Sequence, residues 1–426
     1  MATNTIVRRN GTGSAFRQIA AAGVGNAVEW YDWYIYGFLA INFSGQIFNS
    51  SDPATSLLEA FAVFAVGFLL RPIGGLILGN VADKIGRKST LSLTILTMGL
   101  GSLIVGLTPT YDAVGIWSPV ILVIGRLISG LSVGGEYAAN TVFLVESAPA
   151  NHRGFFSSFQ YVSSTFGKLI ASAVAAALVL NLDKADMSSW GWRIAFILGA
   201  VLSLVGVWVR RGAEETFVEA DKAKRARLFE ALIKYPKQSL LVVGITIAGT
   251  ITYYTWTTYL PTYAVANGSL SQGDLLIMST ISLVFLMVIQ PAVGMLSDKI
   301  GRKPLLIGFA TIFIVGIVPG LHLVSKSGFW LALGVMMLGM LVLSGFTAIS
   351  AAINAEMIPT HVRAAGIGFP YSLTVAIFGG TAPLLGTMFS QWGNSELFGW
   401  YVALLVSISL VFYIFLPETA RKPLPE

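Results

Sequence analysis

The 426-residue chain has no cysteine and only three histidines, and 11% of its residues carry a formal charge. Without cysteine there is no disulfide framework, no thiolate metal site and no thiol nucleophile. His152, His322 and His361 lie far apart and show no ligand spacing, so no metal site is expected. Soluble domains carry roughly 25% charged residues, and 11% is too little to cover a water-facing surface of this size. That argues against a soluble enzyme, a disordered chain and a nucleic-acid-binding domain, even at a pI near 9.4. One hydrolase-like string occurs, Gly130-Leu-Ser132-Val-Gly134. Its motif requires a strand-to-helix turn and a histidine partner, and here it lies inside an apolar run. No phosphate-binding loop accompanies it, so neither enzyme chemistry nor ATP as an energy source is expected.

What is abundant is apolar: 55% of residues are hydrophobic and the mean hydropathy is +0.74. A helix that crosses a bilayer needs about 20 mostly apolar residues. Uncharged windows of that size run over 89–111, 238–273, 275–297, 304–325, 327–355, 364–395 and 397–417. The first half is apolar too, with charges interrupting it. Spans are predicted over 17–44, 56–80, 89–108, 118–146, 154–181, 192–209, 239–265, 274–296, 304–323, 329–355, 362–391 and 397–416. The predicted class is an all-α membrane protein of twelve transmembrane helices. With both termini in the cytoplasm, twenty-one lysines and arginines fall on the inner side and three (Lys184, Arg193, Lys326) on the outer. This is the bias expected of cytoplasmic loops, and it accounts for the net charge of +6.

The chain repeats itself. Gly79-Asn-Val-Ala-Asp83-Lys84-Ile-Gly86-Arg87-Lys88 is matched 215 residues later by Gly294-Met-Leu-Ser-Asp298-Lys299-Ile-Gly301-Arg302-Lys303. Glu146-Ser-Ala-Pro149 followed by Arg153 is matched 210 residues later by Glu356-Met-Ile-Pro359 followed by Arg363. Two matching loops at nearly one offset indicate a duplicated six-span unit: an N-terminal six-helix bundle (1–210), a charged cytoplasmic linker (211–237) and a C-terminal six-helix bundle (238–426). In the repeated loops the first glycines allow close helix approach. Asp83 and Asp298 can accept hydrogen bonds at a neighbouring helix N-terminus, where the dipole favours an anion. Gly86 and Gly301 permit a positive-φ turn, and Arg87 and Arg302 stay on the basic side. Such loops can latch helices in one conformation and release them in another; the plainer alternative is a topogenic turn.

These loops resemble the signature of the major facilitator superfamily. Gly25-Asn-Ala-Val-Glu29-Trp30-Tyr31-Asp32, Arg71-Pro72-Ile-Gly74-Gly75, Gly130-Leu-Ser-Val-Gly134-Gly135-Glu136-Tyr137 and Trp190-Gly-Trp192-Arg193 resemble its metabolite:proton symporter branch. That branch includes permeases for 2-oxoglutarate, citrate, shikimate, and proline or betaine. Tyr254-Thr-Trp256-Thr-Thr-Tyr259, Ile289-Gln290-Pro291 and Ala376-Ile-Phe-Gly379-Gly380 are most similar to bacterial 2-oxoglutarate permeases. The resemblance implies an inner-membrane, proton-coupled importer of small organic solutes; the expected substrate is a small organic anion, 2-oxoglutarate or a related dicarboxylate, carried by alternating access in a monomer. The proton is the coupling ion, no cofactor is needed, and lipid surrounds the protein. Another metabolite of the branch and a passive channel are the rival readings.

Independently of the resemblance, charges inside the spans locate the chemistry. Each charge at a bilayer centre costs about 2.5–3.5 kcal/mol. Yet Glu29, Asp32, Arg71, Arg126, Glu136 and Lys168 fall inside spans 1 to 5, while spans 7 to 12 have essentially none. These charges must face a cavity or one another. Glu29 and Asp32 share a helix face, and neighbouring carboxylates resist double ionisation. With Glu136 they are candidates for proton coupling, the alternative being structural pairing with arginines. Arg71 and Arg126 lie on glycine stripes (Gly67-Arg71-Gly75-Gly79 and Arg126-Gly130-Gly134) and can each hold a carboxylate through two parallel hydrogen bonds. A structural pair with Glu136 or Asp32 is the alternative. Lys168 departs from the neutral amide commoner in the resembled branch. It can bind a second carboxylate or neutralise Glu136. Arg193 is a candidate at the entrance, or an anchor for its helix. Tyr253 and Trp256 are candidate cavity walls, with Asn354, Tyr371 and Gln290 as further polar candidates. Tyr259 is assigned to the interfacial aromatic belt.

Overall fold

Residues 12–50, 52–85, 87–211, 230–260, 270, 272–392 and 394–425 are described by the computed structural model of the chain. Span 1 is Thr12–Ile47, and span 2 is the pair Pro53–Leu69 and Arg71–Ile85. Spans 3 to 6 are Arg87–Gly106, Trp117–Glu146, Arg153–Asn181 and Trp192–Arg211. Span 7 is Pro236–Tyr254 continued by a π-turn, Thr255–Tyr259. Spans 8 and 9 are Gln272–Ile300 and Lys303–Lys326. Span 10 is Phe329–Thr347 with Ser350–Met357. Span 11 is Arg363–Thr374, a π-turn at Val375–Gly379, and Ala382–Gln391; span 12 is Ser395–Phe415. Eleven of these are long and apolar enough to cross a membrane by length and composition. The twelfth, span 1, is the one that carries both Glu29 and Asp32. In the predicted linker, 212–229 lies outside the described residues and Glu230–Lys234 is a short helix. The predicted end of span 7, 261–265, also lies outside them.

The interruptions have local causes. Pro72 has no N–H to donate to the Phe68 carbonyl, and span 2 breaks at Leu70, directly before Arg71. The π-turns of spans 7 and 11 each insert a wider turn and so rotate the side chains that follow. Two close approaches organise the first bundle. A Cβ on Gly130 would overlap the Gly67 carbonyl, and one on Gly134 would overlap the Arg71 carbonyl, so the two glycine stripes face each other. A Cβ on Gly167 would overlap the Ala27 backbone, which fixes span 5 against span 1.

The two bundles meet along two lines, span 5 against span 8 and span 2 against span 11. Glycines face one another on both: Gly154 with Gly294, and Gly75 with Gly368. Apolar side chains such as Leu204, Val288, Val315 and Leu404 point outward. The six charges inside the spans do not: none of Glu29, Asp32, Arg71, Arg126, Glu136 and Lys168 is more than 5% exposed.

Gly134→Ala should destabilise the protein by about 1–3 kcal/mol, the range for overpacking. Gly37, where an added Cβ meets nothing, should accept alanine with unchanged or slightly raised stability. Thermal unfolding of the purified variants in detergent distinguishes the two outcomes.

Candidate functional site

A narrow cavity lies between the bundles. The first half contributes Glu29, Trp30, Arg71, Val133, Tyr137 and Tyr161; the second contributes Thr250, Tyr253, Tyr254, Tyr371, Ser372 and Val375. The break at Leu70 presents Arg71 to it. The guanidinium carbon lies 3.6 Å from the Phe68 ring centre and 4.4 Å from that of Trp33. Its Nε and one Nη make no hydrogen bond among the described residues. Glu29 is the one carboxylate in the lining.

Three residues further along span 1, Asp32 has a different environment. Its carboxylate accepts a 2.7 Å hydrogen bond from Arg126, and both side chains are 1% exposed or less. Arg126 therefore takes the structural alternative, with Asp32 rather than Glu136 as partner, and does not line the cavity. Its guanidinium carbon sits 4.2 Å from the Trp33 ring centre, so one indole contacts both arginines. Glu136 is also away from the cavity, where it accepts from the Thr94 hydroxyl at 2.8 Å. Lys168 does not neutralise it. The ammonium contacts the Tyr253 hydroxyl and lies 4.1–4.5 Å from the ring centres of Tyr253, Tyr34 and Trp30, behind the cavity wall.

Trp256 is not in the wall. Its indole N–H donates to the Met336 carbonyl at 3.0 Å, and the ring fills space left by Gly339. The cavity stripe on span 7 is Thr250, Tyr253 and Tyr254, an i, i+3, i+4 face that points Trp256 into the second bundle. Tyr259 is corrected too: it is 3% exposed and donates to the Gly386 carbonyl at 2.8 Å, so it ties spans 7 and 11 together rather than joining a belt. Tyr371 does line the cavity. It stacks on Tyr137 with ring centres 3.6 Å apart and planes 3° apart, one ring from each half. Asn354 lies beyond this stack, near the Tyr137 hydroxyl with Thr141 and Ser350. Gln290 donates to the Thr347 hydroxyl at 2.6 Å, where span 10 breaks. Arg193 donates to the Gly106 and Thr108 carbonyls at the end of span 3, the anchoring arrangement. Tyr137 and Tyr161 are cavity residues that sequence reasoning did not single out, and Tyr254, which the sequence ranks below Trp256, takes the place expected of that tryptophan.

At the end of the molecule that carries the repeated loops, described residues of the two halves are tied together. Asp298 accepts from the backbone N–H groups of Gly154 (2.8 Å) and Phe155 (2.9 Å) at the N-terminus of span 5. Arg302 pairs with Asp298 (2.9 Å) and Glu356 (3.1 Å). Burial opposes its charge, but Glu356 and Asp298 outweigh that and hold it above its usual range. Gly301 turns the loop at φ +102. Arg363 pairs with Glu146 of the first half at 2.8 Å. Arg153 donates to the Lys422 carbonyl at 2.7 Å. The side chains of Asp83 and Arg87, with Gly86 and the surroundings of Gly79, lie outside the described residues.

The family model for sugar (and other) transporters matches residues 18–231 and again 209–426. The chain belongs to this family. It is a multi-pass membrane transporter of the major facilitator superfamily and not an enzyme. It is 39% identical to the alpha-ketoglutarate permease of Escherichia coli (strain K12) over 407 residues, 95% of this chain and 94% of that protein. To the proline/betaine transporter of the same strain it is 31% identical over 427 residues, 97% and 85% of the two chains. In fold it matches the proton:xylose symporter XylE with a TM-score of 0.81 at 16% identity, covering 97% and 98% of the chains. The Escherichia coli fucose:proton symporter gives 0.71 at 15% identity over 96% and 100%. These place the transporter in the twelve-helix major facilitator fold.

Two predictions follow from these pairs. Arg126→Ala should cost about 3–5 kcal/mol, because it strands a buried carboxylate; adding Asp32→Asn to it should recover much of the loss in thermal unfolding. Glu418 lies beyond span 12. Burial raises its pKa, but the backbone N–H groups of Arg302, Ala420, Lys303 and Thr419 outweigh this and hold it below the usual carboxylate value. Its contribution is therefore complete above that value and lost as the pH falls through the depressed one. Glu418→Gln should flatten this acid limb of a Tm-versus-pH profile and leave the neutral region's slope unchanged.

Proposed function

We propose that this transporter is a secondary active importer in the bacterial inner membrane that couples protons to uptake of a small organic anion, 2-oxoglutarate or a related dicarboxylate. The observation that carries the reading is Arg71, a buried guanidinium in the cavity wall with unused donors. Such a group recognises a carboxylate by charge and by two parallel hydrogen bonds. The identity to an alpha-ketoglutarate permease over nearly the whole chain supports the same substrate class.

Coupling follows from the Trp33 indole. Arg71 and Arg126 both pack on it, so their charges repel unless each has an anion. Asp32 supplies one for Arg126; the substrate supplies one for Arg71. Protonating Asp32 removes a negative charge from this cluster and raises the affinity of Arg71 for an anion, and by linkage a bound anion favours the proton on Asp32. The membrane potential supports a need for co-transported protons: a dianion entering an inside-negative cell is opposed by about 4.6 kcal/mol per 100 mV, which two protons cancel. The halves rock about the cavity, the Tyr137–Tyr371 stack parts, and the Asp298 and Arg363 contacts on the cytoplasmic side open.

A zwitterion is the second reading. Glu29 beside aromatic rings suits a cationic group while Arg71 holds a carboxylate, and a proline/betaine transporter is among the relatives. Uptake of labelled 2-oxoglutarate, citrate, shikimate and proline into proteoliposomes, with and without an imposed proton gradient, separates these. The expected result is gradient-driven accumulation of 2-oxoglutarate, abolished by an uncoupler. Uptake unaffected by the uncoupler marks a passive channel, and preference for proline overturns the anion reading. Arg71→Ala should lower affinity about 10- to 100-fold, the value of one charged hydrogen-bonded contact. Asp32→Asn should abolish accumulation while substrate-for-substrate exchange continues.

A further inference from the structure

We propose that Lys168 is the second anion-binding group of the cavity and makes the site selective for dianions over monoanions. The inference rests on the anion reading above and deepens it. Lys168 is fully buried and forms no ion pair among the described residues. Its ammonium is held instead by the faces of Trp30, Tyr34 and Tyr253 and by the Tyr253 hydroxyl. Aromatic faces attract a cation, but a carboxylate attracts it more strongly where water is scarce. Trp30 and Tyr253 also line the cavity. A single layer of rings therefore separates this ammonium from the space that Arg71 faces.

The packing says which part of that layer moves. Gly167 sits against the Ala27 backbone with no room for a Cβ, so the main chain beside Lys168 is fixed to span 1. Trp30 and Tyr34 belong to that same span. Tyr253 alone among the cage rings comes from the second half. When the halves rock, Tyr253 withdraws from the ammonium while Trp30 and Tyr34 stay. The freed ammonium then turns to the substrate's second carboxylate, and Arg71 holds the first. A monoanion gives Lys168 nothing to replace Tyr253, and a cationic substrate group meets repulsion there.

The test uses the purified full-length protein in proteoliposomes. Labelled 2-oxoglutarate uptake is inhibited by unlabelled 2-oxoglutarate or by 2-oxopentanoate, which has a methyl group in place of the distal carboxylate. The native chain should favour the dianion about tenfold or more, the scale of one charge-assisted contact. In Lys168→Gln that preference should collapse through a higher KM for the dianion with kcat little changed; Lys168→Arg should retain it. An unchanged preference in Lys168→Gln overturns the proposal while the anion reading stands. Equal loss of both ligands in Lys168→Gln and Lys168→Arg, with a lowered Tm, marks a purely structural lysine and also overturns it. A native protein that takes up proline and ignores 2-oxoglutarate overturns the anion reading, and this inference with it.

Discussion

A formal charge inside an apolar helix bundle needs a partner, and this requirement governs the first half of the transporter. Six ionisable side chains in spans 1 to 5 are withdrawn from lipid, and they are accommodated in different ways. Asp32 and Arg126 neutralise each other. Glu136 takes a hydroxyl donor from span 3. Lys168 is held by ring faces. Arg71 and Glu29 remain in the wall of the space between the bundles. The Asp32–Arg126 pair is shut away from that space, whereas Arg71 faces it with donors to spare.

The second half answers with aromatic and hydroxyl groups rather than charge. Thr250, Tyr253, Tyr254, Tyr371 and Ser372 give it hydrogen-bonding capacity without an electrostatic preference of its own. Among the described residues, the ion pair that joins the halves, Arg363 with Glu146, lies at the end with the repeated loops.

Much of this was legible in the chain. Hydropathy and charge-free windows located the spans, and the doubled Gly-x-x-x-Asp-Lys-x-Gly-Arg-Lys loop disclosed the repeat. Arg71, Glu29, Tyr253 and Tyr371 were recognisable as cavity candidates because polar groups in apolar runs are costly. Pairing was not legible: Asp32 and Arg126 are 94 residues apart, and Glu136 was an equally good partner on paper. Trp256 was misplaced because a π-turn and helical phase, not residue type, decide which way an aromatic ring points. Tyr137 and Tyr161 escaped notice for a related reason, since a tyrosine within an apolar run reads as ordinary core until its neighbours in the other half are known.

The glycines that face one another across the bundle boundary, Gly75 with Gly368 and Gly154 with Gly294, leave two points of bare backbone where interlocking side chains would ordinarily mesh. Surfaces of that kind behave as bearings. At those points a pivot of one bundle on the other lifts no knob out of a hole.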